Sequence, residues 1–462
     1  LKSRKIFILL PDGVGLRNFA FTSFAELGTK KGWDITFWNH TPFQLSELGL
    51  KEIKLNGKPR PLTDIFKRAK IESELNHFEK KFEDKVYSSY KFPSSNTGWK
   101  NKLKNSIVRF LTNHYSGERG IMNLRNKIEI SERKGDYYRH CIEVLKREKP
   151  DMIFCTNQRA LNAVAPITAA KDLGISTSCF IFSWDNLPKA TKIVETDYYM
   201  VWSDYMKNEI QSYYPYISET QIKITGSPQF EPHFDMELRV SKEDFFKEYS
   251  LEPNRDYLCY SGDDITTAPH DELYLRDIAE AVRKLNADGE NIGIIFRRSP
   301  VDISGRYKEI IENFSDVIVP IVPEWIQLGE EWNTVLPSKS DLKLQTNIIQ
   351  HTFMVINVGS SMVFDYSSYR LPCAYINYNP DVVPLQKDIK SVYNYIHFRS
   401  MPNENAVLWI NEKMEISEVI KKVVQGESSV EIQAKKWFDL INRAPHDKSS
   451  ERIWNAFNEI VQ

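Results

Sequence analysis

The sequence predicts an α/β protein built from two doubly wound parallel-sheet units, and three observations predict it. Short apolar runs alternate with amphipathic helical stretches, the mark of strands covered on both faces by crossover helices. The alternation breaks at Gly226-Ser227-Pro228-Gln229-Phe230-Glu231-Pro232, a run of structure-stopping residues, and then restarts. The length of 462 residues suits two hydrophobic cores better than one or three.

In chain order, residues 5–10 (KIFILL) read as a buried strand, followed by a turn and a helical stretch at 19–30. Residues 34–38 are a second strand. Lys149-Pro150-Asp151 introduces a strand at 152–156, then come a helix at 160–173 and strands at 177–182, 198–202 and 223–225. Beyond the break, strands are expected at 256–260, 292–296, 317–322, 353–357 and 373–376. Helices are expected at 272–285 and after Ser360. The expected divisions are therefore 1–228, 229–428 and a pair of C-terminal helices in 429–462. Those helices carry Trp437, Phe438, Ile453, Trp454 and Phe457 on apolar faces. Doubly wound sheets bind ligands beyond the carboxyl ends of their strands, so one cleft between two such edges is expected.

A lysine-rich stretch at about 66–138 interrupts the first unit and shows few strand signals. Within it Trp99, Leu103, Ile107, Phe110 and Leu111 recur at helical spacing, with Lys100, Lys102, Lys104 and Arg109 between them. Two accounts fit: a surface helix packed on its own domain, or a cationic helix lying on an anionic membrane.

Composition narrows the function. Lys+Arg number 61 against Asp+Glu 62, which argues against nucleic acid as the main partner because that binding needs excess cations. At 41% hydrophobic and 27% charged residues, the chain is ordinary globular. The five scattered cysteines form no CxxC pair and point to a reducing compartment, hence a cytoplasmic location. No apolar run approaches the roughly 18 residues of a membrane span, and no signal-peptide pattern opens the chain.

Five loops at predicted strand ends carry candidate chemistry. Pro11-Asp12-Gly13-Val14-Gly15 follows the first strand: Gly13 and Gly15 permit a tight turn near a ligand, and Asp12 either caps the next helix or acts as a base. Gly359-Ser360-Ser361, with Asp365 one turn on, follows another strand. Its hydroxyls and amides could cradle a phosphate while Asp365 accepts from ribose, or the serines could simply be N-caps. Arg297 and Arg298 end a third strand and could clamp phosphate oxygens; only one of them is expected to matter. Ser261-Gly262-Asp263-Asp264, continued by Thr266, Thr267 and His270, is a further edge loop. Its adjacent acids point apart, and the chain has no DxD to hold a metal. Ser183-Trp184-Asp185-Asn186-Leu187 reads either as a sugar platform, with Asp185 and Asn186 as hydrogen-bonding partners, or as a buried Trp with a capping Asp. GxSxG, HExxH and Gly-Lys-Ser/Thr phosphate loops are all lacking.

These residues resemble a family. The two halves, the linker Ile224-Thr225-Gly226-Ser227-Pro228-Gln229-Phe230 and the helical ending look like a GT-B-fold glycosyltransferase. The run Ile356-Asn357-Val358-Gly359-Ser360-Ser361-Met362-Val363-Phe364-Asp365-Tyr366, continuing to Leu371-Pro372, is similar to the donor-binding signature of bacterial surface-polysaccharide transferases. That group includes the CDP-glycerol glycerophosphotransferases. The segments at 183–187 and 447–453 look like pieces of the same group. Ser299-Pro300 stands where many relatives carry His-Pro, and Arg297 or Arg298 is expected to substitute. The paired glutamates of many retaining relatives are not evident before Gly359, which favours inversion. Asp12-Gly13 is loosely similar to the acid–glycine pair that holds the base in CMP-sialic-acid-using GT-B enzymes.

The resemblance implies a nucleotide-sugar donor of UDP or CMP type in the second half: Ser261, Gly262, Thr266, Arg297, Arg298, Ser360, Ser361 and Asp365 would bind it. It implies a glycan or lipid-linked acceptor beside Gly13, Gly15, Asp185 and Asn186 in the first half. Asp12 would be the base, with no metal or other cofactor, and contact with the inner face of the cell membrane is expected. Polyol-phosphate transfer, sugar-nucleotide epimerisation and a non-catalytic binding role in an assembly complex are the alternatives.

Overall fold

The computed structural model describes residues 4–91, 98–327 and 335–461. Parts of the expected insertion (92–97), of the second unit (328–334) and of the two ends (1–3 and 462) lie outside the described residues. The chain forms two compact units, one of Leu1–Pro228 with Ile441–Gln462 and one of Gln229–Leu440.

The first unit holds a parallel sheet of β1 (Arg4–Leu10), β2 (Trp33–Asn39), β3 (Glu52–Lys54), β4 (Met152–Cys155), β5 (Ser176–Phe180), β6 (Tyr198–Val201) and β7 (Ile222–Ile224). Its order is β3-β2-β1-β4-β5-β6-β7. Central β1 is fully buried from Ile6 to Leu10, as a continuous apolar run requires when helices cover both faces. Ile6 stands opposite Ile35 on β2 and Met152 on β4. β3, an edge strand that reads Glu-Ile-Lys, has no apolar pattern to announce it, and its charges suit an edge.

The helical stretch expected at 19–30 is two helices, Leu16–Phe19 and Phe24–Lys30. Between them Thr22 Oγ1 donates to the Asn18 carbonyl and accepts from the Phe24 amide, a local side-chain alternative to continuous helix. The lysine-rich insertion is helical, with helices Pro61–Lys81, Val86–Ser89, Trp99–His114 and Gly117–Arg133. Ala69, Val108 and Leu124 form a small core there, joined by Phe66, Leu111 and Tyr115. A buried ionic cluster ties it to the connection between β5 and β6. Lys70 pairs with Glu74 at 2.7 Å, Lys192 pairs with Glu195 at 2.7 Å, and Lys70 donates to the Lys192 carbonyl. Burial pulls the Lys192 ammonium down to about 8, against the pull of Glu195.

The second unit repeats the plan with β8 (Asp256–Ser261), β9 (Ile292–Arg297) and β10 (Ile318–Pro320). A short antiparallel pair, β11 (Ile326–Gln327) and β12 (Val335–Leu336), precedes β13 (Val355–Asn357), β14 (Cys373–Ile376) and β15 (Leu408–Ile410). The main sheet is parallel in the order β10-β9-β8-β13-β14-β15.

The two C-terminal helices expected in 429–462 are present but divide between the units. Trp437 and Phe438 of helix Glu431–Ile441 pack on Phe364, and Phe438 also packs on Phe230, in the second unit. Trp454 and Phe457 of helix Ser449–Ile460 instead enter the first unit, against Phe24 and Phe154. Asn442 Oδ1 accepts from the Ser227 amide and Arg452 Nε donates to the Thr225 carbonyl, pinning this return to the end of the first pass.

Gly226, between those bonds, has φ +78, and a Cβ there would lie 2.4 Å from Ser449 Oγ. Gly226→Val is therefore expected to cost about 2–4 kcal/mol through backbone strain and overpacking, read as a fall in Tm.

Candidate functional site

In each main sheet the first strand in chain order sits between the second and the fourth strands of that sheet. Chain direction away from that strand reverses there, leaving a crevice at the strands' carboxyl ends where ligands of doubly wound folds bind. In the first unit the crevice lies between β1 and β4. β1 runs into Asp12, and β4 into Thr156, Asn157, Gln158 and Arg159.

Asp12 is half-buried there. Its Oδ1 accepts from the Val14 amide at 3.1 Å, and its Oδ2 from Asn157 Nδ2 at 2.7 Å. Burial pushes the carboxyl above the usual aspartate range. The Val14 amide, Asn157 and the positive charges of Arg159 and His40 oppose the shift without cancelling it. The cap and the bond to Asn157 thus use different oxygens of one carboxylate. Gly13 and Gly15 form the short 3-10 turn behind it, and a Cβ on Gly15 would come within 2.3 Å of Thr156 Oγ1. That glycine lets the turn lie flat on the end of β4.

The loop after β5 departs from a sugar platform. Trp184 and Asn186 are buried. Asn186 Oδ1 accepts from Gln158 Nε2 at 2.7 Å, and Gln158 Oε1 accepts from the Phe182 amide. Asp185 accepts from Ser183 Oγ and Asn186 Nδ2 and pairs with Lys189. These polar groups lock the ends of β4 and β5 together, which corrects the expectation that Asn186 offers itself to an acceptor.

In the second unit the crevice lies between β8 and β13. Half-buried Ser261 ends β8, opposite Arg297. Buried Gly262 follows, where a Cβ would meet Tyr307 Oη at 3.0 Å and Phe296 at 3.1 Å. Asp264 accepts from the amides of Thr266 and Thr267 and from both hydroxyls, so Thr266 folds its own loop. Asp271 accepts from Tyr307 Oη at 2.8 Å and from the Asp263 amide, and burial pushes it up to about 6. Asp263 is raised well above the ordinary value, by burial first and by Asp271 and Asp264 next.

Beyond β13, Gly359 takes φ +63, the left-handed conformation that reverses the chain into the next helix. Asn357 Oδ1 accepts from the Ser360 amide at 2.8 Å, and Ser360 Oγ from the Met362 amide at 3.3 Å. Ser361 is half-buried and its side chain caps no amide. The helix that follows, Met362–Ser367, is only six residues long. Asp365 is buried and bound to His233 Nε2 at 2.7 Å, which corrects the expectation that it faces an open mouth to meet ribose.

The two arginines divide. Arg297 is buried with Nη2 at 2.9 Å from both oxygens of Asp341. Asp341 also accepts from Trp325 Nε1 and the Glu324 amide. Arg298 instead lines an open cavity of about 450 Å³ with Phe296, Tyr307, Ile321 and Val322. Because a buried charge left alone costs about 3–5 kcal/mol, Arg297→Ala is expected to lower the denaturation midpoint sharply; Arg298→Ala, which loses the Nη1 bonds to the Ser299, Pro300 and Asp302 carbonyls, should lower it less.

The sequence reading missed His40, Asn157, Arg159, His233 and Asp271. A signal existed for two of them: Thr156-Asn157-Gln158-Arg159 is a wholly polar run directly after an apolar strand. Among the described residues no group of three His, Cys, Asp or Glu side chains is arranged to hold a metal ion. No helix of these residues is long and apolar enough to cross a membrane.

No protein-family model and no curated protein matches the chain. Solved structures do match it, over nearly its whole length. A glycosyltransferase from Rickettsia africae is similar at TM-score 0.54 and 10% identity, covering 100% of both chains. The fold is GT-B. A UDP-GlcNAc 2-epimerase from Neisseria meningitidis, bound to UDP-GlcNAc, shares this GT-B plan at TM-score 0.50 and 10% identity, over 98% of this chain and 100% of the other. The wall teichoic acid polymerase TagF, soaked with CDPG, does so at TM-score 0.50 and 10% identity, over 99% of this chain and 88% of its own. At such identities GT-B likeness speaks for architecture and not for activity.

Proposed function

We propose that the chain is a glycosyltransferase of bacterial surface-polysaccharide synthesis, moving a sugar from a UDP- or CMP-type donor to a glycan or lipid-linked hydroxyl. Transfer is inverting and needs no metal. One observation carries this proposal: a carboxylate of raised proton affinity, Asp12, held by Asn157 at the crevice of the first unit. A base so tuned can take a proton from an acceptor hydroxyl as it attacks the anomeric carbon. The C–O bond to the nucleotide then breaks, and the diphosphate or phosphate leaves with the electron pair.

The nucleotide belongs to the second unit. Its cavity beside Arg298 suits a base or ribose. The ends of β9 and β13 are two strand spacings apart, about 10 Å, which is the span from a nucleobase across ribose to its phosphates. Phosphate then meets the Gly359-Ser360-Ser361 turn, whose polar groups stabilise the departing charge. Ser261 and Gly262 line the path between them. Arg298→Ala is expected to weaken nucleotide binding about tenfold or more, the worth of one charged hydrogen bond, by calorimetry with UDP and CMP.

Epimerisation is the second reading, favoured by the likeness to an epimerase with UDP-GlcNAc bound. Incubating the protein with UDP-sugars, CMP-sugars and CDP-glycerol, with and without lipid-linked or glycan acceptors, separates the readings. Transfer releases nucleotide only with an acceptor, whereas epimerisation changes the sugar without release. Polyol-phosphate transfer frees CMP from CDP-glycerol. Nucleotide binding without turnover on any acceptor would leave a non-catalytic role.

A further inference from the structure

The helix Trp99–His114 has two apolar faces. Its inner face, Val108, Leu111 and Tyr115, packs on Ala69 and Leu124. The outer face does not pack: Trp99 is 71% exposed, Leu103 55%, Ile107 37% and Phe110 66%. At 3.6 residues per turn these four side chains fall within an arc of about 80°. On the helical wheel Lys102 and Arg109 border that arc on one side and Lys100 on the other. The helix contains no acidic residue. Among the described residues Lys102 and Arg109 form no salt bridge, while Lys104 on the inner side is taken up by Asp64.

We propose that this helix lies flat on an anionic lipid bilayer, its Trp–Leu–Phe arc in the acyl–headgroup boundary and its lysines and Arg109 against lipid phosphates. Single apolar side chains are common on solvent faces, but four large ones contiguous along one helix arc mark an interaction surface. An apolar arc bordered on both sides by cations, with an aromatic at its end, has the charge and shape complement of such a surface. A second copy of this chain fits less well, because a two-fold contact would set the same cationic borders against each other. The proposal stands apart from the catalytic one, since either can fail alone.

Flotation with vesicles of phosphatidylglycerol and phosphatidylcholine tests it on the full chain. The protein is expected to float with anionic vesicles, far less with pure phosphatidylcholine, and less again at high salt. Trp99→Ser/Phe110→Ser should cut partitioning at least tenfold with Tm unchanged, because both side chains are exposed. Lys102→Glu/Arg109→Glu should remove the preference for anionic lipid. Wild-type protein that stays unbound, or a serine double variant that floats as well as wild type, overturns the proposal. A concentration-dependent dimer abolished by the same serine changes also overturns it, assigning the face to a second copy.

Discussion

Asp12→Asn is expected to lower turnover by about 10²–10⁴-fold, the usual weight of a general base, while nucleotide affinity changes less than twofold. Asparagine keeps the shape and its single carbonyl oxygen can still accept from Val14, but its NH2 then faces the Asn157 Nδ2 donor, so a Tm measured beside the rate separates the missing proton acceptor from a loosened turn. The wild-type rate should also carry the mark of this carboxyl. Its active form is ionised, and burial raises its proton affinity above the ordinary value of 3.8, so kcat/KM should fall as pH drops through a point above that value. Asn157→Leu removes a donor that favours the ionised form and should move this limb to higher pH. Stability runs the other way. A carboxyl whose folded proton affinity exceeds its unfolded one binds more protons when folded, so it favours the fold less as pH rises through that window. The wild-type protein should therefore lose this contribution to its melting temperature as pH rises through that window. An asparagine variant that turns over at the full rate would take Asp12 out of the chemistry.

Trp454→Ala should be the most damaging single change to stability, about 3–5 kcal/mol. The indole is fully buried, its ring centre 4.9 Å from that of Phe24, 5.2 Å from Phe457 and 5.8 Å from Trp33. Its Nε1 donates to the Phe24 carbonyl at 2.9 Å. It also lies so close to Gly28 that a Cβ there would be 2.1 Å from the ring; helix Phe24–Lys30 has a flat spot made for it. Denaturant unfolding should show the loss, and Trp454→Phe should recover part of it while still forfeiting the indole hydrogen bond.

Much of this architecture is legible in the chain because a doubly wound sheet buries its central strands on both faces. Residues 6–10, 152–155 and 292–296 are wholly apolar for that reason. The edges were not legible: β3 reads Glu-Ile-Lys, short and mostly charged, and β15 reads Leu-Trp-Ile, apolar but only three residues long. The candidate site was half legible for a different cause. Asp12 and Ser360 follow strands directly, so local pattern finds them. Asn157 comes to Asp12 only because β4 pairs with β1 across 145 residues of chain, and strand neighbours are not written locally. Likewise nothing near Asp365 announces His233, 132 residues away. The helix at 99–114 misleads in another way, since its conspicuous apolar stripe is not the stripe it buries.

The polypeptide leaves the first unit at Pro228 and comes back only at Ile441. During translation, then, the early sheet must wait with the trough over Phe24 and Gly28 unfilled until the segment from Ile441 has emerged, whereas Gln229–Leu440 is contiguous and can close as it emerges. Until then the aromatic surface that Trp454 and Phe457 cover stays exposed. Severed fragments ending near Pro228 should regain solubility when a peptide spanning 441–462 is supplied in trans.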